Sequence, residues 1–154
     1  ESSLKPKPRL VIALALLISL HIFLPLRHHY FNSDVAWSEE GHRYSWRMML
    51  RSKRGYGGLR VVDRKTGEEE YVQPSKTLNK KQARKMYTHP DMILAYAHFL
   101  GEQCGDCAVY ADVHVKLNNG KYARYIDSKV DLTQIEWSWL ETKPWILKET
   151  KEAD

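Results

Sequence analysis

What the sequence lacks narrows it first. It has two cysteines, Cys104 and Cys107, and neither a second CxxC nor an HxxxH. A structural zinc site read from sequence spacing is therefore two ligands short. The His28–His29 pair has no carboxylate or cysteine at ligand spacing, so no metal is expected there. No internal repeat and no low-complexity run is present, which sets aside repeat arrays. The net charge of +5 forms no basic stripe: residues 1–30 hold +3 and the rest of the chain +2. No nucleic-acid partner is expected from such a distribution. No nucleophile, base and acid group together by spacing, so no catalytic residue is assigned.

The longest absence is of charge. Leu10 to Leu26, LVIALALLISLHIFLPL, runs 17 residues without Asp, Glu, Lys or Arg. A membrane helix needs about 20 apolar residues, with a range of about 17–25. Lys5, Lys7 and Arg9 precede the stretch, and Arg27, Tyr30, Phe31 and Trp37 follow. Snorkelling cations and headgroup-level rings are the usual anchors of a short span. Two other readings stand beside it, a buried core helix and a signal peptide. The stretch is apolar on every face, which does not suit the first. No Ala-x-Ala cleavage pattern follows Leu26, which does not suit the second. The leading cations favour a cytoplasmic N-terminus and an extracytoplasmic domain, although Arg27, Arg43, Arg47 and Arg51 follow. Ser19 and His21 are candidate helix–helix contacts within the membrane. Pro25 is expected to end or kink the helix. Because the first residue is Glu1 rather than Met, the chain is expected to be trimmed or the tail of a longer polypeptide.

Beyond the helix the periodicity changes. Tyr44, Trp46, Met48 and Leu50 alternate with polar residues, as in a half-buried strand. Gly55–Tyr56–Gly57–Gly58 reads as a turn, Leu59 to Asp63 as a strand, Lys65–Thr66–Gly67 as a turn and Glu69 to Gln73 as a strand. Leu78 to Tyr87 is a polar helix. Thr88 with Asp91 predicts a capping box for a helix over Asp91 to Leu100, stopped by Gly101. Ala108 to Leu117 is the cleanest strand. Asn118–Asn119–Gly120, with Gly120 left-handed, would set Ala123 opposite Val115 and Tyr125 opposite Val113. Ile135, Trp137 and Trp139 read as a strand burying indoles, or as contacts with headgroups. The expected core is Trp46, Met48, Leu50, Met92, Tyr96, Phe99, Val113, Val115, Ile126 and Trp137. Asp127 and Asp131 read as surface residues making turn and strand-end hydrogen bonds, with cation or basic-peptide binding as the functional alternative.

Cys104-Gly-Asp-Cys107 has three readings. A thioredoxin-like pair wants its first cysteine at a helix N-terminus, and this pair follows a helix end. A zinc site lacks its other ligands. A local disulfide, or two free thiols in a loop, is favoured, and an extracytoplasmic location would permit the disulfide.

Several stretches resemble the C-terminal part of the vitamin K-dependent γ-glutamyl carboxylase family, together with its bacterial relatives that carry the horizontally transferred transmembrane (HTTM) domain. They are Glu40-Gly-His-Arg-Tyr-Ser-Trp-Arg-Met-Met-Leu50, Thr66-Gly-Glu, His89-Pro-Asp-Met-Ile-Leu94, Ala97-His-Phe-Leu100, Val109-Tyr-Ala-Asp-Val113, Leu117-Asn118, Ile126-Asp127-Ser-Lys-Val130-Asp131-Leu132 and Trp137. They run in the family's order, and Tyr-Ser-Trp-x-Met-Met is the most specific. Ser128 stands where the family often has Pro, and the cysteine pair is outside the pattern. The resemblance implies the last membrane helix plus the lumenal domain. The family's chemistry uses vitamin K hydroquinone to form a strong base that removes a glutamate γ-proton before CO2 is added. It belongs to a multi-helix membrane domain that holds the catalytic lysine, so no catalytic residue carries over and no cofactor is expected in this chain.

The expected fold is membrane-anchored α+β, mostly β: one N-terminal transmembrane helix, then a β-sandwich-like domain with one or two helices. The expected units are a basic juxtamembrane segment over 1–9, the membrane helix over 10–30 and an extracytoplasmic domain over 31–154. Two functions remain open. One is a portion of a carboxylase-like membrane protein whose extramembrane domain binds a substrate or partner. The other is a non-catalytic, single-pass accessory subunit docked on a larger complex. The expected partners are membrane lipid, other transmembrane helices or subunits, and a polypeptide substrate.

Overall fold

The computed structural model describes residues 7–31, 33–45 and 51–149. The expected strand over Tyr44 to Leu50 lies mostly outside them, as do the core assignments of Trp46, Met48 and Leu50. His42 to Ser45, which are described, form a turn, with Tyr44 at φ 67°.

The uncharged stretch is helix α1, Pro8–Leu26, 19 residues long. At about 1.5 Å per residue it spans roughly 28 Å. A 3-10 turn over Arg27–Tyr30 extends it to 23 residues, long and apolar enough to cross a membrane. Its leucines and isoleucines other than the half-buried Leu24 are exposed, as is Phe23, and Pro25 is its one buried residue. A helix with apolar residues on all faces and no protein against them is suited to lipid rather than to a soluble core. Pro25 does not stop it at once. The helix ends one residue later, and His28 Nδ1 lies 2.7 Å from the Pro25 carbonyl in its last turn.

The domain is built on one antiparallel sheet of order β2-β1-β3-β4. Strand β1 is Lys53–Asp63, β2 Glu69–Val72, β3 Cys107–Leu117 and β4 Ala123–Arg124. β1 and β3 pair along their whole length, from Lys53↔Leu117 to Asp63↔Cys107. Among the described residues there is one sheet, and its second layer is helical rather than a second sheet as in a sandwich. The α+β class with a membrane-spanning candidate holds.

The expected turn at Gly55 to Gly58 is instead the middle of β1. Its glycines answer to close neighbours rather than to a bend. A Cβ at Gly57 would lie 2.1 Å from the Asp112 carbonyl oxygen, and one at Gly58 would meet the Tyr71 ring. The β3 alternation behaves as read: Val109, Ala111, Val113 and Val115 are fully buried, while Tyr110, Asp112, His114 and Lys116 face the other way. The Val115↔Ala123 register is the expected one, but Asn118 at φ 52°, not Gly120, takes the left-handed conformation.

Two helices cover the buried face. Helix α3, Lys80–Met86, starts at an Asn79/Gln82 capping box. Helix α4, Pro90–Cys104, begins at His89 rather than Thr88, whose hydroxyl donates to the Lys85 carbonyl. It also runs past Gly101. That glycine marks a close approach, because a Cβ there would lie 2.9 Å from Thr133 Cγ2. Ile93, Leu94, Tyr96, Ala97 and Leu100 of α4 pack on the sheet with Tyr125, Ile126 and Leu132. Phe99 points outward, 41 % exposed. Residues 135–139 form no strand: Trp137 is half-buried and Trp139 exposed, while Trp145 is core.

Candidate functional site

The segment between α1 and the sheet joins Lys53, His89 and Tyr125 in a group of titratable side chains. Asp34 caps a single turn, α2 at Val35–Ser38, by accepting from the Ala36 N–H at 2.8 Å. The turn ends at Glu39 in the left-handed region, φ 65°, a conformation that costs a non-glycine residue energy unless its surroundings hold it. Here they do. Glu39 Oε1 lies 3.0 Å from Arg51 Nη2 and 3.3 Å from Lys53 Nζ, and its other oxygen 3.9 Å from His89 Nε2. Gly41, at φ 69°, lets the chain pass close against His28.

Lys53 is the centre of the group. Its ammonium donates to the Trp37 carbonyl at 2.6 Å and to the Tyr125 hydroxyl at 2.9 Å, and it lies 4.4 Å from the Tyr125 ring centre. The Tyr125 hydroxyl donates to the same Trp37 carbonyl at 3.0 Å. The Trp37 indole meets Tyr125 edge-on and donates to the Leu147 carbonyl at 2.7 Å. Burial lowers the Lys53 ammonium from 10.5 to about 8; Glu39 offsets part of this, and Arg51 adds to it. Burial also pushes the Tyr125 phenol well up, with Glu39 adding to it. His42 is lowered by burial and by Arg51. The result is a water-poor cluster in which two cations face one carboxylate. It fastens the segment that follows α1 to β1 and to the end of the sheet. A groove of about 600 Å³ opens beside it, lined in part by Trp37, Glu40, Lys143, Ile146 and Leu147. Glu40 anchors the groove's far wall by accepting from the Lys143 N–H at 2.6 Å.

The residues singled out from sequence lie elsewhere. Ser19 and His21 are two apart on α1 and so project from different faces. His21 Nδ1 lies 2.8 Å from the Leu17 carbonyl of its own helix. Cys104 and Cys107 are paired as a disulfide across the α4–β3 junction, with Cα atoms 5.9 Å apart. Asp131 makes the turn and strand-end hydrogen bonds expected of it, and an ion pair besides. Its Oδ1 accepts from Val109 N–H, Thr133 N–H and the Thr133 hydroxyl, and its Oδ2 pairs with Arg64. Sequence reading missed Glu39, Lys53 and Tyr125 as a group, because they are joined by contacts across 14 to 72 residues. The one available signal was a lysine at the first position of a strand whose alternation buries it.

A family model for the vitamin K-dependent gamma-carboxylase lumenal domain matches residues 6–152. The chain belongs to this family. The match begins ahead of α1, so the family unit includes the apolar helix as well as the sheet. No solved structure matches the chain. The lumenal-domain family and the apolar helix together suggest membrane anchoring with a lumenal domain. The family's quinol cofactor is a bulky apolar molecule that needs an enclosing cavity. Two apolar grooves among the described residues, beside Trp37 and beside Phe99, are open to solvent. No residue described is therefore assigned to hold it.

Proposed function

We propose that this chain is the C-terminal portion of a carboxylase-family membrane protein. In this reading residues 10–30 form its membrane helix, and residues 31–154 form an extracytoplasmic domain that binds a polypeptide substrate or a partner subunit. The family match over residues 6–152 carries the reading. The Glu39–Arg51–Lys53 cluster supports it, because it couples the stretch leaving the membrane to the sheet through buried, directional bonds. The groove beside Trp37 and Lys143 lies next to that coupling and is the preferred place for an extended polypeptide. Purification from native membranes in mild detergent tests this. Co-purification with a multi-helix membrane segment of the carboxylase type, encoded upstream or in the same frame, is expected. Stoichiometric recovery with an unrelated membrane complex would instead support a docked accessory subunit, and migration alone would count against both.

A further inference from the structure

The end of β1 and the start of β3 bring together donors far apart in sequence. Asp63 pairs in register with Cys107, and Cys104 closes α4 just before β3. With Cys104 and Cys107 joined as a disulfide, a carboxylate oxygen of Asp63 lies within 4.8 Å of both sulfurs. Cys107 is buried, Asp63 half-buried and Cys104 exposed, so the group has both walls and a mouth. Asp63 Oδ1 accepts from the Lys65 N–H at 2.7 Å and the Thr66 N–H at 3.0 Å, which fixes the carboxylate and leaves its second oxygen available. Gly105, at φ +90°, has no atoms near where a Cβ would stand, so the loop between the cysteines has room to adjust. A polar pocket of about 360 Å³, lined by Arg64, His98, Glu102, Gly105 and Asp106, borders Cys107, and Cys104 is exposed beside it.

We propose that Asp63, Cys104 and Cys107 form a redox-gated site for a thiophilic divalent cation of the zinc class, filled when the cysteines are reduced and closed when they are joined. Two thiolates and one carboxylate are a three-ligand set that leaves a fourth tetrahedral position for water. Binding displaces the two thiol protons. Oxidation by an incoming small-molecule or protein disulfide forms the Cys104–Cys107 bond and passes two electrons to that disulfide. The disulfide takes up two protons and leaves as two thiols, and the cation is freed. A chain that crosses a membrane arrives reduced and is oxidised afterwards, so a lumenal domain experiences both states.

The full chain in detergent is reduced with a phosphine, desalted without oxygen and titrated with Co²⁺. A thiolate-to-cobalt charge-transfer band saturating at one equivalent is expected. Zn²⁺ should bleach it, and the disulfide form should not show it. Cys107→Ser should abolish the band. Asp63→Asn keeps the Oδ1 acceptor for the turn and should weaken cobalt binding roughly tenfold or more. Absence of the band in the reduced chain would overturn the proposal, as would a folded Asp63→Asn chain that binds cobalt as tightly as the wild type. Should that variant fail to fold, X-ray absorption of the wild-type zinc form decides: two sulfurs with oxygen supports the site, and any other sulfur count overturns it.

Discussion

Asp131 shows how one side chain sets the stability of several elements. Its carboxylate joins β3, the turn over Leu132–Gln134 and Arg64. Burial pushes its carboxyl up, but the Val109 and Thr133 bonds and the Arg64 guanidinium outweigh burial and hold it below the usual range. Asp131→Ala should cost about 2 to 3 kcal/mol, since it strands donors that a charged acceptor now satisfies. Phe99→Ala removes a half-exposed ring and should cost less than about 1 kcal/mol. Denaturant melts of the detergent-solubilised chain check the order, and the reverse order would contradict it. Because the folded pKa is lowered, this contribution is full above the unfolded carboxyl value of about 3.9 and is lost as pH falls through the folded value. The gap between wild type and Asp131→Ala should therefore close on acidification. Lys53 runs the other way. Its folded pKa falls from 10.5 to about 8, so between those values the unfolded chain binds the proton more tightly. Its contribution to stability thus rises with pH across that window, by a total of about 3 kcal/mol. Glu39, Arg51, His42, His89 and Tyr125 surround it and remain in the variant. Melting temperatures of wild type minus Lys53→Met should increase from pH 8 to pH 10; a flat or falling difference would show that Lys53 is not the desolvated group.

At the scale of elements, glycine marks contact more often than it marks a stop. Gly101→Ala should gain about 1 kcal/mol of helix propensity on its own. Here the added methyl meets Thr133 Cγ2 at 2.9 Å, so the single substitution should destabilise α4. Adding Thr133→Ser removes that methyl and keeps the hydroxyl bonded to Asp131, so the double variant should recover the loss. Thermal melts of the two singles and the double give the cycle; strictly additive losses would mean the two do not touch. The same logic explains what the sequence disclosed. β3, the Glu69–Val72 strand and the Lys80–Met86 helix were legible because their signals are local: alternation, a turn and an unbroken polar run without Gly or Pro. Gly55 to Gly58 misled because close approach of Tyr87, Asp112 and Tyr71, invisible in local sequence, demands the same residue as a bend. Phe99 misled for a related reason. It shares a helical stripe with Met92 and Tyr96, but that edge of α4 borders a groove lined by Leu78, Gln82 and Met86. The Glu39–Lys53–Tyr125 cluster had one local signal, Lys53 at the first position of a strand whose alternation buries it; the contacts that join its members are long-range.

For the whole molecule, the parts divide cleanly by solvent. α1 exposes its apolar residues along its length, whereas the domain hides its own between the sheet and α4. The two meet at Arg27 to Gly41, and the buried bonds of Glu39, Arg51 and Lys53 hold that junction to the sheet. In the proposed reading α1 crosses a membrane and the four-stranded sheet stands in water on its far side. Labelling intact cells with a membrane-impermeant maleimide tests this most directly, in a background of Cys104→Ser and Cys107→Ser. Tyr122→Cys, on the exposed end of the sheet, should label, while Lys7→Cys, ahead of α1, should label only after the cells are opened. Labelling of both positions in intact cells, or of Lys7→Cys alone, would contradict a membrane-crossing α1 with its domain on the far side.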